Sequence, residues 1–101
     1  MEFHKLVRDK IPDIIRRRGE LPLTRVAGDE EYWDRLKEKL QEEVAEFLEA
    51  ENEEELADII EVLRAICINR GIDLKRLEAV RRKKAEERGE FLGRIILEET
   101  R

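Results

Sequence analysis

Four carboxylates stand in mirror register around one short turn: Glu43 and Glu46 before it, Glu55 and Asp58 after it. Each pair has the i, i+3 spacing that places two side chains on one face of an α-helix. If the chain folds back about residues 50–51, Glu46 comes level with Glu55 and Glu43 with Asp58. A helical hairpin of that kind aims four acidic oxygen donors at one patch. Such a cluster repels itself unless a divalent cation or a basic ligand neutralises it. The donors are hard oxygens and no His or Cys is close in sequence, so the ion that fits is Mg²⁺ and not zinc. Mg²⁺ retains water and joins carboxylates to substrate phosphates, and the chemistry it supports is attack of water on phosphorus. Glu42, beside the cluster, is a spare carboxylate able to accept the water's proton.

Each carboxylate also has a plainer role open to it. Glu55 follows Asn52 by three residues, the spacing of an N-cap and its N3 partner, and this role is compatible with a metal. Glu42, Glu49, Glu51, Glu53 and Glu54 suit solvated helix surfaces. Asp58 stands apart, because ten of the thirteen residues from Leu56 to Ile68 are apolar and no basic residue lies within a turn of it on that helix. Burying a carboxylate there costs several kcal/mol, about the penalty of an unpaired charge, unless it is paired or metal-bound.

The elements that must position these groups are helical. Asp9 can cap a short helix that tolerates Pro12 in its first turn and stops at Gly19. Asp29 reads as the N-cap of a long helix to about Ala50, with Trp33, Leu36, Leu40, Val44 and Phe47 forming its apolar stripe. Taking Leu40 as zero, Glu43 falls about 60° and Glu46 about 120° to one side, at the shoulder of that stripe. A second long helix runs from Asn52 to Asn69 or Arg70 with Gly71 as its stop, and a third runs from the cap Asp73 to Gly89. The second long helix is apolar on nearly all sides and must be covered on nearly all sides, which three partner helices of so short a chain would struggle to do. A subunit interface, in a dimer or tetramer, is therefore expected. Leu21–Val26 and Phe91–Glu99 can pair as two short strands. The expected fold is a single all-α domain over residues 1–101, an antiparallel helical bundle completed by oligomerisation, with a small two-stranded β element.

Composition narrows the function classes. Charged residues make up 47% of the chain and the net charge is −5, which argues against a general nucleic-acid binder. The charge is uneven: residues 41–63 hold ten acidic side chains and no Lys or Arg, whereas 64–101 hold eleven basic ones. An acidic, metal-loaded floor beside a basic rim suits a phosphorylated small molecule. Arg8, Lys5 and Lys10 can bind phosphates or form a solvated basic turn. Lys84 and Arg88 are an i, i+4 pair at a helix end, where the helix dipole favours cations in any case. Trp33 and Tyr32 can stack on a base, although Trp33 also fits the core stripe. Cys67 lies in an apolar run and reads as a buried thiol in a reducing compartment. With no signal-like start and no membrane-length apolar stretch, a cytoplasmic, non-membrane protein is expected.

Glu42-Glu43-x-x-Glu46 followed by Glu55-x-x-Asp58 resembles the EExxE…ExxD signature of the MazG-like all-α nucleoside triphosphate pyrophosphohydrolases. The opening Lys5-Leu6-Val7-Arg8-Asp9-Lys10-Ile11-Pro12 and the late Lys83-Lys84-x-x-x-Arg88-Gly89-x-Phe91 resemble segments of a small subgroup described as phosphoribosyl-ATP pyrophosphohydrolase-like. The resemblance covers almost the whole chain. It implies a Mg²⁺-dependent helical oligomer that cleaves a nucleoside triphosphate to the monophosphate and pyrophosphate. It also implies Glu43, Glu46, Glu55 and Asp58 as metal ligands and favours a functional role for Lys84 and Arg88; with the residue readings above, the catalytic candidates are Glu42 and Glu43 and the substrate-binding ones Arg8, Lys10, Lys84 and Arg88. Clearance of aberrant nucleotides is the leading expectation, with phosphoribosyl-ATP hydrolysis in histidine synthesis the alternative. The gap from Glu46 to Glu55 is shorter than in many relatives, which leaves little room for a specificity loop. A different class of reading is a non-catalytic helical dimer with an acidic docking face.

Overall fold

A computed structural model describes residues 4–101 and shows an all-α chain of four helices: α1 (Ile11–Arg17), α2 (Asp29–Ala50), α3 (Glu53–Arg70) and α4 (Leu74–Arg88). No helix among the described residues is long and apolar enough to cross a membrane. The packed centre is the antiparallel pair α2–α3, whose two-residue connection, Glu51-Asn52, turns the chain where the mirror register requires it. Leu36 is 1% exposed, and with Val62 and Cys67 it forms the buried apolar core of the hairpin. The thiol of Cys67 is free and buried, as its apolar setting implies.

The turn is built from two opposite cap geometries. Glu51 closes α2 in the left-handed region (φ 52°), and its N–H donates to the carbonyl of Phe47 at 2.7 Å. A side chain in that region costs about 1 kcal/mol more than glycine would. Asn52 then opens α3 from extended backbone, its Oδ1 accepting the N–H of Glu55 at 3.0 Å. The last turn of α2 has no basic residue to complement its C-terminal dipole, and Glu49 and Glu51 oppose it.

Two helix boundaries and one element differ from the sequence expectation. Lys10, not Asp9, precedes α1, and it enters in αR geometry through a turn in which the Ile11 N–H donates to the Arg8 carbonyl, so no side chain caps. Gly28 is the N-cap of α2, and Asp29 moves inside the first turn, where with Glu30 and Glu31 it faces the positive end of the dipole. Among the described residues there is no strand. Leu21–Val26 and residues 91–99 do not pair, because an isolated two-stranded ribbon is marginal without an apolar face to pack on.

The chain is extended. Its radius of gyration is 18.1 Å and its long axis 60 Å, whereas a compact chain of this length has a radius of about 13 Å. α4 makes no extensive contact with the α2–α3 hairpin. The hairpin therefore carries the intrachain stability almost alone. Leu36→Ala is expected to lower the unfolding free energy by about 2–5 kcal/mol and Asn52→Ala by about 1 kcal/mol in urea titrations followed by circular dichroism. Equal, negligible losses at both positions would contradict this account of the core.

Candidate metal centre

Hairpin packing draws Glu43, Glu55 and Asp58 together, with one oxygen of each lying within 4.8 Å of the others. Glu43 reaches this patch from the α2 shoulder and is 6% exposed, an unusual degree of burial for a glutamate. Glu55 and Asp58 approach from the first two turns of α3, one turn apart, and are partly buried. At that spacing and an effective dielectric of 20, each pair of full charges repels by roughly 3 kcal/mol, less at Asp58 where water screens it.

Two oxygens in the patch, Glu43 Oε2 and Glu55 Oε2, are buried and accept no hydrogen bond. Such orphaned acceptors are costly unless a further partner is supplied. Glu55 combines a capping contact with a place in the patch. Its backbone N–H bonds to Asn52, as a cap requires, while its carboxylate oxygen is buried beside Glu43 and Asp58. A partly buried, anionic, all-oxygen donor set with spare lone pairs suits a hard divalent cation.

Basic groups already offset part of the charge. Lys39 Nζ lies 3.3 Å from Glu43 Oε1 and 3.4 Å from Glu42 Oε1. Lys5 Nζ reaches the same Glu42 oxygen at 3.4 Å. Arg8 Nη2 donates to Asp58 Oδ1 at 2.7 Å across 50 residues of sequence. Asp58 is therefore not sunk unpaired in an apolar helix as its neighbours imply. Its side chain is 37% exposed and ion-paired, and the deeply buried carboxylate is Glu43.

The remaining sequence candidates are distributed unevenly. Glu46 is exposed and outside the group of three, although close enough for its charge to act on Glu43. Lys10 is exposed at the start of α1. Lys84 and Arg88 are exposed on α4, away from the hairpin, and make no ion pair among the described residues. Trp33 lies beneath the Arg70 guanidinium, 3.5 Å from its ring centroid, with Lys37 Nζ at 5.1 Å. Lys39 was legible in the sequence, four residues before Glu43, the spacing of a helical ion pair.

Burial is the main cause that raises the Glu43 carboxyl above the usual carboxylate range, reinforced by the Glu46 and Asp58 charges and opposed by Lys39. The folded state thus holds this proton to higher pH than the unfolded chain does. The resulting stabilisation is complete below the ordinary carboxylate pKa of about 4.3 and fades as pH rises through the raised value. Glu43→Gln, which imitates the protonated form, should in chelator match the wild type near pH 4 and unfold at higher temperature at pH 8. Adding Mg²⁺ should stabilise the wild type more than the variant. A variant less stable than the wild type at pH 8 in chelator would contradict the assignment.

No family model matches the sequence, and no solved structure matches it. A stretch of 47 residues, 46% of the chain, is 51% identical to an uncharacterized protein of Mycolicibacterium smegmatis and spans 48% of that protein's length.

Proposed function

We propose that this protein is a Mg²⁺-dependent pyrophosphohydrolase that converts a nucleoside triphosphate to the monophosphate and pyrophosphate. The observation that carries the reading is the hairpin patch itself, three carboxylates within one ion's reach with two buried oxygens lacking any hydrogen bond. The three motifs that frame it, occurring in order along the chain, support the choice of substrate class.

Glu43, Glu55 and Asp58 would hold the ion, with Glu46 one turn from Glu43 as the outermost donor. Bound there, Mg²⁺ supplies neutralisation of phosphate charge and activation of water. Arg8 is already at the mouth of the site, and its planar guanidinium can exchange the Asp58 oxygen for a phosphate oxygen without leaving its place. Lys10 follows it in the same segment. Glu42, tied to Glu43 through the shared Lys39 ammonium, is the carboxylate left outside the ligand set. It accepts a proton from water as the water oxygen bonds to phosphorus and the pyrophosphate leaves with the bridging oxygen. The chain works as a homo-oligomer, which covers the apolar flanks of α3.

The Arg8–Asp58 pair favours a second reading, a non-catalytic helical dimer, because it gives Asp58 a structural partner. One experiment separates the two. A panel of common and modified nucleoside triphosphates, together with phosphoribosyl-ATP, is assayed with Mg²⁺ and with chelator. Pyrophosphate release that stops in chelator is expected. Asp58→Asn should lose more than the roughly 10–100-fold that removal of an outer-shell partner costs, with helix content and sedimentation unchanged. Orthophosphate release, no turnover of any substrate, or full activity in Asp58→Asn would contradict the hydrolase.

A further inference from the structure

The segment ahead of α1 is laid across the mouth of the carboxylate patch. Lys5 Nζ lies 3.4 Å from Glu42 Oε1 on α2, and Arg8 Nη2 donates to Asp58 Oδ1 on α3 at 2.7 Å. Three residues of extended backbone span about 10 Å, close to the separation of two packed helix axes. Residues 5–8, which lie outside any helix, therefore bridge the groove from one wall to the other. Leu6, between the two cations, is half-buried, while Val7 and Arg8 are exposed.

The two carboxylates held in this way are those a working site needs free. Asp58 belongs to the group of three that can share an ion, and Arg8 takes its Oδ1. Glu42 is the proposed base, and Lys5 shares its Oε1 with Lys39. Glu43 is held differently. Its contact with Lys39 runs along α2 from a lysine only 17% exposed, and its other oxygen is buried with no hydrogen bond. Lys5 and Arg8, by contrast, are 46% and 57% exposed. An exposed ion pair shifts an equilibrium by no more than about fivefold. A guanidinium and a divalent cation drawn to one carboxylate also repel each other. The outer pairs are the ones that give way.

We propose that residues 5–8 are a strap that stands in for the divalent cation, with Arg8 on Asp58 and Lys5 on Glu42, and that is displaced when the ion binds. Strap and ion exclude each other, and by linkage each weakens the other's hold by the same factor. Displacement hands Asp58 to the ion and frees the Glu42 oxygen to accept a proton from water. A phosphate then offers the released guanidinium a new acceptor. The competition itself requires only the patch and a cation. The roles of Glu42 and of phosphate rest on the hydrolase reading above.

A carbodiimide joins an amine to a carboxylate in direct contact, so a Lys5–Glu42 conjugate counts closed straps without any turnover. The Lys39–Glu42 conjugate, formed within α2 on the same carboxylate, is the internal reference. In wild-type protein the ratio of the first conjugate to the second, read by mass spectrometry, should fall when chelator is replaced by Mg²⁺. A constant or rising ratio would overturn the strap. Uptake of Mn²⁺, followed by electron paramagnetic resonance at physiological salt to screen distant charges, measures the reciprocal effect. Arg8→Gln should tighten uptake about two- to fivefold. Lys37→Gln, which removes an equal charge from α2 away from the patch, should leave it unchanged. Unchanged or weaker uptake in Arg8→Gln, or equal tightening in Lys37→Gln, would overturn the strap and leave the metal site standing. No uptake by either wild type or Arg8→Gln would defeat the metal reading and the strap with it. The expected pattern in a protein that releases no pyrophosphate from any triphosphate would uphold the strap and defeat the hydrolase reading alone.

Discussion

Mutual repulsion among carboxylates held close by helix packing is the constraint on which the rest of this structure turns. The hairpin cannot form without carrying Glu43 toward Glu55 and Asp58, because the same two-residue turn that pairs the apolar faces also fixes their register. Lys39 and Arg8 relieve part of the strain. They leave two buried oxygens unsatisfied, and burial still pushes the Glu43 proton affinity upward. A fold selected for stability alone would have little reason to keep that patch, since an apolar residue at Glu43 would pack there without charge. The acidic C-terminus of α2 and the left-handed Glu51 point the same way.

Much of this was readable from residue order. The mirror spacing located the hairpin and named four acids, three of which cluster, and the stripe through Leu36 identified the buried face of α2. Asn52 and Gly71 marked the limits of α3 because their side-chain and backbone requirements are local. The partner of Asp58 was not readable, since Arg8 lies 50 residues away and nothing local links the two. Glu46 stays outside the group of three for a geometric reason: at about 120° from the centre of the stripe it sits about 60° further round the shoulder than Glu43, and it is exposed. The two strand-like segments failed for want of a surface. Their β-branched residues satisfy a local preference, but no packed layer lies beneath either one.

Extension of the chain follows from how little apolar surface the hairpin buries. A core of Leu36, Val62 and Cys67 is small for 101 residues, and the apolar residues that could enlarge it are displayed on α3, on α4 and beyond. Lys84 and Arg88 share that displacement, being carried on the helix that leaves the hairpin.

The central claim is that Glu43, Glu55 and Asp58 share one divalent cation. Electron paramagnetic resonance with Mn²⁺, whose signal is lost on binding, tests this directly. Wild-type protein should quench the signal saturably and release the ion to Mg²⁺, with uptake weakened at least about tenfold in Glu55→Gln and lost in Glu55→Gln/Asp58→Asn. Undiminished uptake in the double variant, or none in the wild type, would contradict it.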